Sequence, residues 1–563
     1  GRVPGELMFG HELIRQTLLS DVSAVERERL HLRIAEAISR LYSDDIEAHA
    51  GELAYHLSHA GRSGDRASLV HYLTIAGERA FDAAAFDDAG GYFEKALSLM
   101  PDDGQLGRAQ LLERLAMALR SVGRWEDALG TMNDALDRYE ALGHVEAIGR
   151  LGWAMVYQLV WSGRLVEGVQ VGHRTLEALG SALSDDKARL LSALAWAISI
   201  SGDYVTATAT FGQARALAEQ VGNDRALADV LHMQTIHHLG YAELAEGVRV
   251  GLGAAKVFEQ ERALWDLCSV QAFLIYEDGL RGGREQATRL GDTTLGIAER
   301  LGHLGAAFMV LIDRILKAAM LGDLPRVEAL GPQIVDIGER GGLPWRYVGH
   351  VYLGLAAHWR GNAERAEAEL RNAVKLEPPG VFAQSVALLA WHLAHHGRAD
   401  EVMELFKSAD VQSMLPSVER VNGIGSWNCM MGFVEAFYLC GLYEEAAALT
   451  PFVERVLALD KKWLTLDGRL LETRAGLVAA AARRWDEAER QFGIAREVAE
   501  QMRNRLELAD LGRLQARMLL DRGGKGDHER AAEMLQEALS AYRTFGMPAY
   551  AAEAERLQRQ ARA

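Results

Sequence analysis

The stretch from Gly202 to Ala214 reads GDYVTATATFGQA, and it contains the pattern on which the fold depends. A glycine turn is followed by Ala207, by a large residue four positions later and by a small residue three positions after that. Residues at i, i+4 and i+7 lie on one face of an α-helix. The stretch therefore predicts a turn and then a helix whose packing face alternates small, large and small side chains.

The same pattern recurs along the chain at nearly constant spacing, about 40 residues, as expected of a repeat protein. Its first position, which we name the anchor, falls at Ala89, Ala128, Gly168, Ala207, Gly247, Ala287, Val327, Ala366, Val402, Ala446, Ala488 and Ala531. Apolar residues at helical spacing precede each anchor, so each unit predicts two antiparallel helices. We expect an all-α, right-handed superhelical solenoid of about twelve helix pairs, since no alternating pattern predicts a strand.

The composition is that of a folded, acidic, helical protein. Of its 563 residues, 49% are hydrophobic, 56 are glycine and only 10 are proline, which favours long helices over disorder. The net charge of −17 gives no general attraction to phosphate backbones or anionic lipid, so we expect neither nucleic-acid nor membrane binding. Three cysteines cannot build a disulfide framework, and no segment is apolar enough to span a bilayer. Both features favour a cytoplasmic location.

The repeat resembles the tetratricopeptide repeat, in which A-x₃-F is followed by a second alanine and a proline. The first unit supplies that order with Ala89, Phe93, Ala96 and Pro101. The family unit has about 34 residues, so longer helices or connections are expected here. Glycine stands four positions after the anchor in four units, which predicts closer helix packing at Gly172, Gly251, Gly291 and Gly331.

The first hundred residues carry a second resemblance. Residues 9–18 read FGHELIRQTL, and residues 49–57 read HAGELAYHL. Between them, Ser23-x-x-Glu26 predicts a capping box that starts a helix reaching about Leu41. These motifs resemble the junction between a winged-helix module and a tetratricopeptide array in bacterial STAND/AAA-type signalling ATPases. Such ATPases are attached to class III adenylate or guanylate cyclases, or act as transcription regulators like the maltose activator.

The resemblance implies an order of segments along the chain. We expect the end of a winged-helix module over residues 1–20 and a helical linker with lead-in helices over 21–66. The repeat array would then occupy 67–546, and a C-terminal capping helix 547–563. Because the chain does not begin with methionine, we expect it to be a fragment of a longer protein.

No motif predicts catalysis by this chain. The G-x₄-G-K-[ST] phosphate loop, the paired aspartates of a cyclase and any Ser/His/Asp or Cys/His arrangement are absent from the sequence. His392, His395 and His396 lie close together, as do His237 and His238, but no carboxylate or cysteine nearby completes a ligand set. We therefore expect no catalytic residue, no cofactor and no metal, and we expect these histidines to be solvated or to line a groove.

Aromatic residues on first helices are the best candidates for recognition. In tetratricopeptide proteins the first helices line the concave groove, and aromatic side chains and arginine are the usual anchors of binding surfaces. Counted from the anchors, the positions that point into the groove hold Trp153, Tyr157, Trp196, Trp391 and Tyr438, joined by Arg150, His232, Tyr276 and Glu435. The alternative is that the array curls tightly and that these rings pack in its core.

The hypothesis that follows is a non-catalytic, effector-sensing and protein-interaction arm of a larger signalling ATPase. A protein, peptide or small-molecule effector in the groove would bias an ATP-controlled equilibrium in the N-terminal nucleotide-binding domain of the parent chain, which requires different affinities for its two states. One alternative is a free-standing tetratricopeptide scaffold or adaptor. Another is the regulatory portion of a protein classed as a nucleotide cyclase or ATPase.

Overall fold

The computed structural model describes residues 22–100, 105–280, 285–378, 383–415, 423–458 and 467–562. Over these ranges the chain forms 29 α-helices and three short 3₁₀ helices, with no β-strand. The fold is an all-α repeat solenoid, as the periodicity predicts. The segment predicted as the end of a winged-helix module, residues 1–20, lies outside the described residues. No helix in the described ranges is long and apolar enough to cross a membrane.

The chain divides into two compact units, residues 1–151 and 152–563. The first unit contains α1 (Ala24–Leu41), α2 (Ala50–His59), α3 (Arg66–Asp82), α4 (Phe86–Leu99), α5 (Gln105–Ser121) and α6 (Trp125–Leu142). Helix α7 (Val145–Trp161) crosses the boundary between the units. The predicted cap of α1 is confirmed, because Ser23 Oγ accepts a hydrogen bond from the Glu26 amide at 3.2 Å.

The second unit continues the alternation of first and second helices. Its helices are α8 (Leu165–Leu179), α9 (Asp185–Ile200), α10 (Tyr204–Val221), α11 (Asp224–Gly240), α12 (Leu244–Gln260), α13 (Leu264–Leu280), α14 (Glu285–Leu301), α15 (Leu304–Leu321), α16 (Leu324–Arg340), α17 (Tyr347–Trp359), α18 (Ala363–Leu376), α19 (Gln384–His395), α20 (Ala399–Lys407), α21 (Ala409–Met414), α22 (Ile424–Cys440), α23 (Tyr443–Ala448), α24 (Thr450–Leu457), α25 (Leu471–Ala481), α26 (Trp485–Gln501), α27 (Arg505–Arg522), α28 (Asp527–Phe545) and α29 (Pro548–Arg562). Counting α20 with α21, and α23 with α24, as broken second helices gives twelve pairs from α3 to α28.

The anchors lie on the second helices, and every anchor whose side chain is described is buried. On α10, for example, Ala207 is fully buried and Phe211 is only 1% exposed. The small anchor lets the two helices of a pair approach, and the larger residue one turn later fills the space towards the next pair. Each pair buries its apolar stripe against its neighbours, which is how repeat arrays build a continuous core.

The four glycines that follow an anchor by four positions do not behave alike. A Cβ atom placed on Gly172, Gly251 or Gly331 would lie 2.8–2.9 Å from a leucine side chain on the next first helix. A side chain at these three positions would therefore require that leucine to shift. At Gly291 the nearest side-chain atom, on Val310, lies 3.6 Å from such a Cβ, an ordinary van der Waals distance. That the four units pack their helices more closely than the other units stays a prediction.

Within the second unit, helices far apart in sequence also pack together. Helix α15 contacts α27, and α17 contacts α29. The Tyr550 hydroxyl lies 3.2 Å from His358 Nε2, although 192 residues separate the two. In a simple array each repeat contacts only its neighbours. Here later repeats cover parts of the first helices, and polar side chains from distant repeats are brought together.

Candidate functional site

A cavity of about 550 Å³ lies in the second unit. The C-terminal ends of four first helices, α17, α19, α22 and α27, meet α29 around it. Its polar lining comprises His358, His395, His396, Arg517, Asp521, Tyr550, Glu553, Arg556 and Gln560. We name it the histidine cavity. Pockets for small ligands have volumes of about 300–1,000 Å³, so this one is large enough for a small molecule or the end of a peptide.

Two glycines place the histidines at the edge of the cavity. His358 is the penultimate residue of α17, and His392 and His395 occupy the last turn of α19, with His396 directly after it. Gly361 and Gly397 follow with φ of +82° and +70°, a left-handed conformation that costs glycine little. Because both helices end there, their last imidazoles face each other and the cavity.

The imidazoles and one tyrosine form a chain of polar contacts. The Nδ1 atoms of His358 and His392 lie 2.9 Å apart, so one ring donates a proton and the other accepts it. The Tyr550 hydroxyl lies 3.2 Å from His358 Nε2 and 3.3 Å from His395 Nε2. A hydroxyl has one hydrogen, so Tyr550 can donate to at most one of these rings and accepts from at least one of them.

Burial keeps these rings neutral at physiological pH. It lowers the pKa of His392 to about 4, with a further contribution from His396. Burial is also the main cause that holds the pKa of His358 and His395 well below the usual range. Since a neutral imidazole carries one lone pair and one N–H, the cavity wall offers both donors and acceptors. His396, at the rim, is exposed.

Helices α27 and α29 supply charged groups to the lining. Arg517 Nη2 donates to the Leu439 carbonyl at 3.3 Å, and its guanidinium lies 5.4 Å from the centre of the Tyr438 ring. Asp521 accepts from the Tyr438 hydroxyl at 3.2 Å. Arg556 reaches the cavity from α29 and is exposed. The cavity therefore combines guanidinium groups, a carboxylate and neutral imidazoles, a set that suits a polar ligand with an anionic group.

Three of the predicted recognition residues lie together on α19 and α22. Trp391 Nε1 donates to Glu435 Oε1 at 3.0 Å, and Tyr438 lies one turn after Glu435 on α22. Trp391 and Tyr438 are each 1% exposed, and Glu435 is fully buried. In this arrangement Trp391 and Glu435 are enclosed by protein, and Tyr438 contacts the cavity wall through Arg517 and Asp521.

Glu435 belongs to a buried ionic network. Arg469 lies 3.3 Å from Glu435 Oε2 and 2.9 Å from Glu507 Oε2. Arg513, six residues after Glu507 on α27, donates to Glu553 Oε1 of α29 at 3.1 Å. Buried ion pairs gain little net stability, but breaking one leaves an uncompensated charge. The network therefore fixes how α22, α27 and α29 pack, which is a structural role.

The predicted aromatic residues at 153, 157 and 196 also come together. The ring centres of Trp153 and Tyr157 lie 5.7 Å apart, and those of Tyr157 and Trp196 lie 5.5 Å apart. Trp196 is 3% exposed and packs edge-on against Trp161, whereas Trp153 and Tyr157 are partly exposed. Whether this cluster binds a ligand stays a prediction, and Trp153 and Tyr157 are its accessible members.

The other three predicted residues lie elsewhere. Arg150, in the first unit, holds both carboxylate oxygens of Glu113 at 2.8 and 3.0 Å. His232 is buried on α11, with Nε2 3.1 Å from Ser269 Oγ. Tyr276 is partly exposed on α13. None of these three is among the residues that line the histidine cavity.

Sequence reasoning missed most of the cavity because its walls come from distant repeats. The sequence predicts that His395 and His396 are solvated or line a groove, and both lie in the wall. Nothing in the sequence connects them with His358, Arg517 and Tyr550, since 192 residues separate His358 from Tyr550. The one local signal was the cluster of histidines directly before Gly397.

Comparison with known proteins gives similarities of backbone arrangement at low sequence identity. No family model matches the chain, and no curated protein matches it. The APC/C hetero-tetramer Cut9–Hcn1 gives a TM-score of 0.44 at 14% identity, over 88% of this chain and 94% of that one. Apo RapI gives 0.39 at 10% identity, over 63% and 97%. A STAND protein with a tetratricopeptide repeat sensor from Pyrococcus horikoshii gives 0.41 at 13% identity, over 71% and 66%.

Proposed function

We propose that this chain is a ligand-sensing repeat scaffold whose histidine cavity holds a small polar effector or the end of a peptide. The observation that carries the proposal is the cavity itself, about 550 Å³ in volume and lined by side chains of five helices. Polar groups that converge on one concave volume are the usual mark of a ligand site.

The charges at the cavity favour a ligand with an anionic group. Glu553 is already paired with Arg513, and Asp521 accepts from two tyrosine hydroxyls at 3.2 Å. Arg517 and Arg556 are the cationic groups of the lining. In a chain of net charge −17, two guanidinium groups at one cavity offer a local site for a carboxylate or phosphate.

A ligand in the cavity would couple distant repeats. It would contact α29 together with the ends of α17 and α19, and so favour the conformation in which these helices are closed. A conformation in which these helices lie further apart or closer together would bind the ligand less well. That difference in affinity is what shifts the equilibrium between conformations. On this proposal the chain acts as the sensor arm of a larger signalling ATPase, as the resemblance of its first hundred residues implies.

Ligand screening on the purified chain tests this function. Thermal-shift screening of organic acids, nucleotides and short peptides, followed by calorimetry, should find a ligand whose affinity falls at least tenfold in Arg556→Ala, because a charge-assisted hydrogen bond is worth about 1.5–3 kcal/mol. The matched control is Arg559→Ala, an exposed arginine on α29 that does not line the cavity. Ligands that bind both variants equally would place the site elsewhere.

A second function, protein binding, is favoured by the partly exposed pair Trp153 and Tyr157. Exposed aromatic side chains are frequent anchors of protein interfaces. A pull-down from native lysate with the whole chain should lose a specific partner in Trp153→Ala and retain it in Arg556→Ala. The reverse result would favour the cavity as the binding site.

A further inference from the structure

We propose that His358, His392 and His396 bind a divalent transition-metal ion, Zn²⁺ by preference, at the edge of the histidine cavity. The proposal departs from the expectation drawn from the sequence, which included no metal. It does not depend on the proposed function, because the ion would bind whether or not an effector is present.

The positions of the nitrogen atoms carry the inference. One ring nitrogen from each of the three histidines lies within 4.8 Å of the others, and the Nδ1 atoms of His358 and His392 are 2.9 Å apart. Zinc–nitrogen bonds are about 2.0–2.1 Å long, which separates two ligating nitrogens by about 2.9–3.3 Å for angles between octahedral and tetrahedral. Two of the ligands thus already have a ligating separation, and the nitrogen of the third lies within 4.8 Å of both.

The helices supply the ligands in a suitable pattern. His392 lies in the last turn of α19 and His396 four residues later, directly after the helix ends. His358 comes from the neighbouring first helix, α17. His396 is exposed, so an ion can reach the site from solvent. The C-terminal ends of α17 and α19 carry partial negative charge, which favours a cation.

A hydrogen bond orients one of the ligands. His358 Nε2 lies 3.2 Å from the Tyr550 hydroxyl. A metal-binding histidine usually gives its second N–H to an oxygen acceptor, which fixes the tautomer and directs the other nitrogen to the ion. Donation from Nε2 to Tyr550 would leave the lone pair on Nδ1, the atom that faces His392. Tyr550 would then be a positioning residue of the site.

The site would keep an open position towards the cavity. Three histidines leave at least one coordination place on Zn²⁺, and zinc sites with three protein ligands bind water or an anion there. His358 and His396 both line the cavity, so the open place would face its interior. The ion would therefore add a positive charge and a point of attachment for an anionic ligand.

A second group of possible ligands carries no such proposal. His237, His238 and Glu243 also have ligand atoms within 4.8 Å of one another. However, His237 Nδ1 lies 2.8 Å from Ser199 Oγ and its Nε2 lies 3.3 Å from Thr208 Oγ1. Both nitrogens of that ring thus face hydroxyl groups outside the cluster, whereas His358 Nδ1 faces another member of its own cluster, His392 Nδ1.

Metal titration of the whole chain tests the site. After treatment with EDTA and dialysis, ZnCl₂ is titrated by calorimetry, and CoCl₂ is titrated by visible absorption, which reports coordination geometry. We expect one equivalent of Zn²⁺ with micromolar or tighter affinity, and cobalt bands of a four- or five-coordinate ion. His396→Ala should weaken binding at least tenfold, because loss even of a group that only supports a ligand costs a metal site about 10–100-fold in affinity. Because His396 is exposed, this variant should fold normally.

The control is His173→Ala, which removes an exposed histidine on α8 and should leave the affinity unchanged. A second variant, His392→Gln, should also abolish binding, with helix content followed by circular dichroism. Absence of zinc binding by the unmodified chain would overturn the proposal. So would binding that His396→Ala does not weaken, or that His173→Ala weakens equally. If His392→Gln does not fold, the comparison of His396→Ala with His173→Ala decides.

Discussion

His232 shows, at the scale of the single residue, how burial becomes pH dependence. Burial, and to a lesser degree His303, lowers its pKa to about 3, against about 6.5 in an unfolded chain. The folded state therefore binds fewer protons than the unfolded state between these values, and stability present above pH 6.5 is lost as the pH falls. At pH 5 this single group should cost about 2 kcal/mol. Urea unfolding at pH 7 and pH 5 measures the loss, which should be smaller in His232→Asn.

The control for this prediction is His173→Asn. His173 is exposed on α8, so its replacement should leave the loss of stability between pH 7 and pH 5 unchanged. Equal losses in the unmodified chain and in His232→Asn would show that His232 becomes protonated without unfolding.

Tyr550 is the residue whose hydroxyl joins two repeats. It lies within 3.3 Å of both His358 and His395, and it is itself buried. Tyr550→Phe removes the hydroxyl and leaves buried imidazole nitrogens without that partner, which should cost about 1–3 kcal/mol. Thermal denaturation measures this as a lower Tm. Tyr55→Phe, at a tyrosine that is 56% exposed, should change the Tm little; an equal fall in both variants would contradict the prediction.

At the scale of the helix, the packing between one helix pair and the next depends on how much space surrounds each glycine. A Cβ on Gly251 would lie 2.8 Å from Leu274 Cδ2 and 3.0 Å from Thr235 Oγ1, whereas a Cβ on Gly291 meets no side-chain atom closer than 3.6 Å. Alanine is favoured over glycine inside a helix by about 0.8–1.0 kcal/mol. Gly291→Ala should therefore raise the Tm, and Gly251→Ala should lower it because Leu274 and Thr235 must shift.

Differential scanning calorimetry of the two alanine variants, side by side, measures the contrast. An increase in Tm for both variants would mean that the side chains around Gly251 shift at little cost. A decrease for both would mean that a methyl group does not fit beside Gly291.

Helix ends were predictable because their signals are local. Ser23 caps α1 as expected, Trp125 and Trp485 begin second helices, and Gly143 ends α6 with φ of +63°. The broken second helices were not predicted. Ser408 has extended backbone and caps α21, its Oγ accepting from the Val411 amide at 3.4 Å. Such a break depends on whether a serine interrupts or continues a helix, and tertiary packing decides that.

At the scale of the molecule, the repeat count was predictable but the binding site was not. The twelve anchors depend on spacing within one helix, which a single sequence reveals. The histidine cavity depends on which distant first helices α29 covers. Tyr157 and Trp391 occupy the same position relative to their anchors, Gly168 and Val402, yet Tyr157 is partly exposed and Trp391 is enclosed. The difference arises from contacts with repeats that local periodicity does not encode.

These long-range contacts lead to a prediction about cooperativity. If each repeat were stabilised only by its neighbours, removing α29 would loosen α27 and α28 alone. Because α29 packs on α17 and Tyr550 bonds to His358 and His395, deletion of residues 548–563 should also speed amide hydrogen exchange at the C-terminal ends of α17 and α19. Hydrogen exchange followed by mass spectrometry measures local opening of this kind.

Helix α10 is the internal control and should keep its protection. Tyr550→Ala, which leaves the chain intact, should produce a weaker form of the same pattern. Unchanged exchange in α17 and α19 in both variants would mean that these repeats are stable without α29, and that the cavity can open without cost to the helices that form it.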